Sequence, residues 1–234
     1  MSYHGSIAII PARGGSKRIP NKNIKNFCGK PIISYSIQAA IKTVLFDKIV
    51  VSTDSHEIAE IAVKYGAEVP FIRPKELADD FVGTDEVIIH ALNWLIKHGE
   101  NVRYVCCIYA TAPFIKPEYI KKGYESLIKE KATSAVSVTT YSYPIYRSLI
   151  LDERGRLRMQ WPEYIKTRSQ DLPVVYHDAG QFYWADVKKY LSEKKLYSND
   201  AIPVIIPRYL VQDIDTEEDW QRAELMYKAL NMVV

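Results

Sequence analysis

The chain has 234 residues, of which 47% are hydrophobic and 25% charged, and its formal net charge is +3 at pH 7. This length and balance are typical of one large α/β domain with room for a small appendage. Three cysteines do not make a disulfide framework, and no apolar run is long enough to cross a bilayer, so a disulfide scaffold and a membrane-spanning protein are excluded. The N-terminus lacks a signal-peptide pattern, and we therefore expect a cytoplasmic protein.

The first predicted element is a strand at residues 7–10, a short run of Ile and Ala that is typical of a buried parallel strand. The loop that follows, at residues 12–23, is built from Gly, Pro, Asn and cations. Glycine lets backbone amides approach a ligand closely, and Arg and Lys donate to phosphate oxygens. The loop therefore predicts a polyphosphate site, although it matches neither G-x-x-x-x-G-K-[ST] nor G-x-G-x-x-G.

Cations are concentrated at this end of the chain. Seven of the 31 Lys and Arg residues precede the first acidic residue, Asp47. The rest of the chain contains the other 24 Lys and Arg and all 28 Asp and Glu, so it is slightly acidic. A local basic pole of this kind attracts an anionic ligand. The alternative that charge alone leaves open is an ordinary solvated basic loop.

Helices and strands alternate through the first 140 residues. Apolar spacing predicts helices at residues 31–44, 58–65, 87–97 and from Pro117, and strands at 48–53, 69–72, 103–109 and 134–140. Thr84 is expected to cap the third helix. This alternation predicts an α/β fold with a mostly parallel sheet, helices on both faces and ligands at the carboxyl ends of the strands. The basic loop, Asp54, Arg73, Thr84 and Tyr109 should share that edge.

Residues 140–176 interrupt the alternation with an aromatic, proline-punctuated segment, which contains a predicted hairpin turn at 152–155. Such a segment either packs as a lid on its own core or serves as an arm against a second subunit. We favour the arm, because Tyr and Trp are common interface anchors. The rest of the chain predicts a strand at 181–184, a helix at 186–190, a strand at 202–206 and a final helix, so that residues 1–234 form a single domain.

Near the final helix, Asp213 and Asp215 flank Ile214, and an extended backbone would place both carboxylates on one side. Paired carboxylates facing a polyphosphate suit Mg²⁺, which prefers hard oxygen ligands and shares them with phosphates. The alternative is that Asp215 or Thr216 caps the helix, with the acidic residues 217–219 in its first turn. Because the basic loop predicts a polyphosphate site, we favour the interpretation of Asp213 and Asp215 as metal ligands over the interpretation as a helix cap.

The motif P-A-R-G-G-S-K-R-I-P-N-K-N at residues 11–23 resembles the signature of the acylneuraminate (CMP-sugar acid) cytidylyltransferases. Other landmarks of that family follow in order over nearly the whole chain, namely V-S-T-D at 51–54, R-P at 73–74, L-A-D-D at 77–80 with Thr84, and D-I-D-T-E-E-D at 213–219. The resemblance implies a Rossmann-like nucleotide-diphospho-sugar transferase fold, dependence on Mg²⁺ and a homodimer formed through the insertion. The implied reaction transfers CMP from CTP to the anomeric hydroxyl of a nine-carbon 2-keto sugar acid and releases pyrophosphate.

Site residues follow from the resemblance by position. The implied nucleotide-binding residues are Ala12, Arg13, Gly14, Ser16, Lys17, Lys22, Asn23, Arg73 and Thr84. Asp213 and Asp215 would bind the metal. Arg13 and Lys22 would act on the α-phosphate and the leaving group. Asp213 or Asp215 would help to deprotonate the hydroxyl through the metal, and the sequence leaves open whether the base is a side chain or a metal-bound group. The expected sugar-binding residues are Tyr109, Arg168, Gln170, His177 and Asp178, with an arginine suited to the substrate carboxylate.

Two segments depart from the sialic acid members of the family. Residues 109–113 read Y-A-T-A-P instead of Q-P-T-S-P, and residues 176–180 read Y-H-D-A-G without the arginine-proline-asparagine that precedes the glycine there. These segments, with R-S-Q-D-L-P at 168–173, are similar to the subgroup that activates pseudaminic acid, which is therefore the expected substrate. N-acetylneuraminate, legionaminate and Kdo are the alternatives within the class. A GT-A glycosyltransferase and a non-catalytic nucleotide- or RNA-binding module are the alternatives outside it. No nucleic-acid motif accompanies the basic pole, so no nucleic-acid or membrane partner is expected.

Overall fold

The computed structural model describes residues 5–79 and 81–232. Its strands are β1 (Ser6–Pro11), β2 (Asn26–Phe27), β3 (Lys30–Pro31), β4 (Lys48–Ser52), β5 (Tyr104–Ile108), β6 (Ser134–Thr140), β7 (Leu149–Leu151), β8 (Leu157–Met159), β9 (Tyr176–Asp186) and β10 (Ile202–Ile205). Its α-helices are α1 (Ile33–Thr43), α2 (His56–Lys64), α3 (Thr84–Lys97), α4 (Pro117–Glu130), α5 (Val187–Glu193) and α6 (Glu217–Asn231). None of the helices in these ranges combines the length and the apolar character needed to span a bilayer.

The central sheet has the strand order β10-β6-β9-β5-β1-β4. β1 lies between β4 and β5 and runs parallel to both, and β10 runs parallel to β6. β9 is antiparallel to its two neighbours, β5 and β6. The prediction of a mostly parallel sheet is therefore confirmed, and the antiparallel direction of β9 is the feature that sequence spacing did not reveal.

Helices cover both faces of this sheet because consecutive β1 side chains point to opposite sides. Ile10 packs into a core that includes residues of α1, α2, α4 and α6. Ile9 packs into a second core with residues of α3 and α5. The adjacent Cys106 and Cys107 divide between the two cores in the same way, and burial raises the pKa of both thiols. These two cysteines are therefore packing residues of the two cores.

Three local predictions are wrong. Thr84 does not cap α3: Gly83 occupies the N-cap position and Thr84 is the first helical residue. Residues 69–72 form a single isolated bridge, between Thr53 and Ile72, because this part of the chain touches the sheet edge without running along it. The helix predicted at residues 31–44 begins only at Ile33, because Pro31 lies in the short strand β3.

The insertion at residues 140–176 contains the predicted hairpin, formed by β7 and β8. Its turn is closed by Asp152, whose Oδ1 accepts hydrogen bonds from the backbone N–H groups of Arg154 and Arg156 at 3.0 and 2.9 Å. The apolar side chains Leu151 and Leu157 face each other across the hairpin, and both are 67% exposed. Within one chain, these side chains of the hairpin are therefore not buried.

Candidate active site

The basic loop follows β1 and is held at the carboxyl end of the sheet. The backbone N–H of Gly14 donates to Asp54 Oδ1 at 2.9 Å, and Asn23 Nδ2 donates to the backbone oxygen of Arg13 at 2.9 Å. A Cβ atom on Gly14 would lie 3.2 Å from that of Ser55, so the glycine permits the loop to pack against the start of α2. These contacts hold the loop in one conformation, which pre-organises its cations.

A first cleft of about 320 Å³ opens beside this loop. Of the predicted nucleotide-binding residues it is lined by Arg13, Ser16, Lys17, Lys22, Asn23, Arg73 and Thr84. The other two do not line it: Ala12 is buried in the core, and Gly14 packs against α2. The volume lies in the range of small-molecule sites, and the lining is rich in cations. The cleft is therefore suited to an anionic ligand.

Arg73 forms a buried part of the wall of the first cleft. It is 3% exposed, and its Nη2 atom lies 3.9 Å from Asp54 Oδ1. None of the described residues gives its Nε a hydrogen-bond partner. Burial lowers the pKa of Arg73, and the nearby Asp54 carboxylate opposes this effect. A buried donor without a partner is uncommon in folded proteins, so a ligand acceptor is the expected partner of Arg73.

At the other end of the cleft the basic loop meets the Asp213–Asp215 segment. Lys22 Nζ donates to the backbone oxygen of Ile214 at 2.8 Å and lies 3.4 Å from Asp215 Oδ1. Arg18 Nη2 lies 3.1 Å from the same carboxylate oxygen. Two sequence motifs from opposite ends of the chain thus form one cluster of cations and carboxylates.

The Asp213 and Asp215 side chains are not used to cap α6. Thr216 is the N-cap, and the reciprocal partner in its capping box is Asp219. Burial and the neighbouring Asp215 raise the pKa of Asp213, as expected for carboxylates held close together. No cluster of three or more His, Cys, Asp or Glu that could hold a metal occurs within the described ranges. Two carboxylates that share a cation with ligand phosphates fit the way in which Mg²⁺ is commonly bound.

A second cleft of about 670 Å³ adjoins the first, because Tyr109 and Asp215 line both. His177 and Asp178 lie in its wall together with Asp213. The structure thus brings together three of the predicted sugar-binding residues, Tyr109 among them. Two neighbouring clefts that meet at a carboxylate can hold two substrates with their reacting groups side by side.

Arg168 and Gln170 line neither cleft of this chain. Both are exposed near a 3₁₀ turn at Ser169–Asp171, and Arg168 Nε pairs with Asp171 Oδ2 at 2.6 Å. Their predicted role in sugar binding has no support from the arrangement of a single chain.

Two arginines in the second cleft escaped the sequence analysis. Arg208 Nη1 donates to the backbone oxygens of Tyr141 and Ser142 at 3.0 and 3.3 Å, and Arg222 Nε donates to Gln212 Oε1 at 3.0 Å. Both arginines line the cleft. Arg208 follows the end of β10, and a position after the carboxyl end of a parallel strand is the signal that could have identified it.

Comparison with known proteins gives consistent matches. A family model described as cytidylyltransferase matches residues 7–228. A pseudaminic acid cytidylyltransferase from Campylobacter jejuni is 43% identical over 95% of this chain and 96% of its own. A CMP-N,N'-diacetyllegionaminic acid synthase from Legionella pneumophila is 36% identical over 93% of this chain and 94% of its own. A CMP:2-keto-3-deoxy-manno-octonic acid synthetase solved in complex with CTP has a similar fold, with a TM-score of 0.67 at 13% identity over 96% of this chain and 98% of that one.

Proposed function

This chain belongs to the cytidylyltransferase family, a family of nucleotidyltransferases, and we propose that it transfers CMP from CTP to the anomeric hydroxyl of pseudaminic acid, releasing pyrophosphate. The observation that carries the proposal is the pair of adjoining clefts that share Tyr109 and Asp215. The cationic first cleft suits the triphosphate. The second, with carboxylates, hydroxyls and arginines, suits a polar sugar acid. The choice of pseudaminic acid is supported by the curated relatives of that activity and by the segments at 109–113 and 176–180.

In the proposed reaction the anomeric oxygen attacks the α-phosphorus of CTP, and the bond from that phosphorus to the bridging oxygen of pyrophosphate breaks. Arg13 and Lys22 stabilise the negative charge on the phosphoryl oxygens and the leaving group, and Lys17 holds the triphosphate. Asp215, at the junction of the clefts, accepts the hydroxyl proton. Preorganised charges of this kind account for most of the catalysis in such transfers.

Asp213 and Asp215 are also the residues that would hold Mg²⁺. When bound, the ion would supply positive charge close to the phosphates. Lys22 and Arg18 contact Asp215 from the basic loop. Their role is to hold this carboxylate at the junction of the two clefts.

Sugar binding is assigned to the second cleft. Arg208 and Arg222 line this cleft and are the cations proposed to bind the substrate carboxylate. An arginine can donate two parallel hydrogen bonds to a carboxylate, which fixes its orientation. Tyr109, His177 and Asp178 complete the polar wall. The predicted role of Arg168 and Gln170 in sugar binding stays a prediction.

The decisive assay is pyrophosphate release from CTP and Mg²⁺ with pseudaminic, legionaminic and N-acetylneuraminic acids and Kdo in separate reactions, with the products identified by mass. We expect release with pseudaminic acid and little or none with the others. Preference for another acid would overturn the substrate assignment and leave the reaction class in place. If the folded protein binds CTP but releases no pyrophosphate with any of the four acids, the result would indicate a non-catalytic binding module.

The same assay distinguishes the two candidate carboxylate-binding regions. Arg208→Gln is expected to raise the KM for the sugar acid about tenfold or more and to leave the KM for CTP within about twofold, since a charge-assisted hydrogen bond contributes about 1.5–3 kcal/mol. Arg168→Gln is the matched control. If Arg168→Gln gives the larger effect, the assignment to Arg208 is wrong and the insertion reaches a sugar site.

We further propose that the chain is a single domain that forms a homodimer in the cytoplasm through residues 140–176. Tyr143, Leu151 and Leu157 are 85%, 67% and 67% exposed, and contiguous exposed apolar surface marks interaction sites. Leu151→Glu combined with Leu157→Glu is expected to yield monomers in sedimentation velocity, with an unchanged circular dichroism spectrum. Val63→Glu, at a 58% exposed apolar position on α2, is the control. Wild-type protein that sediments as a monomer would contradict the proposal.

A further inference from the structure

The chain between β10 and α6 passes the carboxyl ends of the strands, and we call its residues 206–215 the crossing segment. Arg208, Asp213 and Asp215 belong to this segment, and all three line the second cleft. Every residue of the segment is described by the structure, and its only regular element is a 3₁₀ turn at Arg208–Leu210. Contacts with the rest of the protein must therefore fix its path.

Side chains from other elements hold the crossing segment by its backbone carbonyl groups. Near its start, Thr139 Oγ1 on β6 donates to the oxygen of Ile206 at 2.8 Å. Near its end, Lys22 Nζ in the basic loop donates to the oxygen of Ile214 at 2.8 Å. These two hydrogen bonds leave the middle of the segment to be held by a third donor.

That third donor is Gln181, whose Nε2 atom donates to the backbone oxygen of Leu210. Gln181 is 3% exposed and lines neither cleft. Leu210 is also buried, and it lies between Arg208 and Asp213 in the chain. Because a buried carbonyl that loses its donor is costly, removal of the Gln181 amide should displace this part of the crossing segment.

A bulge in β9 directs Gln181 towards the crossing segment. The strand β6 advances only from Val136 to Val138 while β9 covers the residues between Tyr183 and Asp178. The extra residues of β9 form the bulge, in which Gly180 adopts φ +61°. Gln181 lies in this bulge and is not paired with a residue of β6.

The backbone of Gln181 holds the other side of the junction between the clefts. Its carbonyl oxygen accepts the N–H of Tyr109 at 2.9 Å. Tyr109 and Asp215 are residues that line both clefts. Gln181 therefore contacts Tyr109 through its backbone, and through its side chain the segment that ends at Asp215.

We propose that Gln181 is a positioning residue, which fixes Arg208 and Asp213 relative to the first cleft by holding the crossing segment at Leu210. The inference rests on the proposed function insofar as it takes Arg208 as a ligand of the sugar carboxylate and Asp213 as a ligand of the metal. A displacement of about 1 Å at such groups can lower turnover about a hundredfold. A side chain that packs as Gln181 does but has no N–H to donate should therefore impair both roles.

Gln181→Met is the test, because methionine has a similar length and no donor. We expect the KM for the sugar acid to rise about tenfold, and the affinity for Mn²⁺, measured by electron paramagnetic resonance with CTP present, to fall about tenfold. Calorimetric binding of CTP without metal should stay within about twofold, because Asn23, Arg73 and Thr84 of the first cleft lie outside the crossing segment. Hydrogen exchange of the backbone amides at 206–215 should become faster.

Thr139→Val is the second test variant, since it removes the donor to Ile206 and keeps the shape of the side chain. Ile206 is close to Arg208 in the chain and farther from Asp213. Thr139→Val should therefore raise the KM for the sugar acid and change Mn²⁺ binding less than Gln181→Met does.

Tyr35→Phe is the matched control, because the buried Tyr35 hydroxyl donates to the backbone oxygen of Phe27 at 2.7 Å and Tyr35 lines neither cleft. Equal losses in Tyr35→Phe would overturn the proposal, since they would reflect general destabilisation. An unchanged KM for the sugar acid and an unchanged Mn²⁺ affinity in Gln181→Met would also overturn it, whatever the exchange rates are. If the wild-type protein shows no turnover with any sugar acid, the proposed function fails, and Mn²⁺ affinity and hydrogen exchange still test the role of Gln181.

Discussion

Lys22→Ala is expected to lower turnover about 10²–10³-fold while the protein stays folded, in line with the loss of one preorganised charge beside a reacting group. Lys22 Nζ lies in the first cleft, 2.8 Å from the Ile214 oxygen and 3.4 Å from Asp215 Oδ1. From this position its charge can act on both the phosphates and the carboxylate. The measurement is the rate of pyrophosphate release at saturating CTP and sugar acid, with thermal unfolding recorded for each variant.

The matched control for Lys22 is Lys25→Ala. Lys25 belongs to the same part of the chain, pairs with Glu217 at 2.7 Å and lies over the Trp220 ring, outside both clefts. We expect near-normal turnover in Lys25→Ala, and partial recovery in Lys22→Arg, which keeps the charge but not its position. Near-normal turnover in Lys22→Ala would remove this residue from the mechanism.

Asp213→Asn and Asp215→Asn are expected to weaken metal binding at least tenfold and to lower turnover by about two orders of magnitude, because each removes a charged oxygen ligand from a site that has few of them. The direct readout is binding of Mn²⁺ by electron paramagnetic resonance with CTP present, accompanied by the dependence of turnover on Mg²⁺. Glu218→Gln is the control, since Glu218 is an exposed neighbour that lines neither cleft.

The pH dependence of metal binding gives a second check on the roles of Asp213 and Asp215. Burial and Asp215 raise the pKa of Asp213, and only the ionised form binds a cation well. Metal binding should therefore weaken as the pH falls through this raised pKa, and the midpoint should move to lower pH in Asp215→Asn. Unchanged Mn²⁺ affinity in both variants would show that the metal, if needed, is held elsewhere.

Much of the fold could be predicted from local patterns. The strand at 7–10 and the helix at 58–65 were recognisable because burial imposes a periodicity that the residues themselves carry. The basic loop was recognisable because its glycines and cations lie within a dozen consecutive positions. The prediction that Arg73, Thr84 and Tyr109 share one edge followed from the rule that parallel strands end together. All three line the first cleft.

The failures have a common physical origin. Thr84 looks like a helix cap in sequence, but its hydroxyl faces Tyr109, which follows the strand β5. Arg208 and Arg222 line the second cleft, and the sequence analysis did not identify them. In each case the outcome depends on a contact with a residue that is distant in sequence, and no local pattern carries that information.

By itself, the sequence determined the mostly parallel α/β class, the basic loop after the first strand and the family signature, because these depend on residues close together along the chain. Only the tertiary structure decided that Lys22 meets Asp215, that β9 runs antiparallel with a bulge at Gly180, and that Tyr109 and Asp215 join two clefts. The physical reason is that the order and direction of strands are set by packing of the whole sheet, and this packing alone brings the ends of the chain to one site.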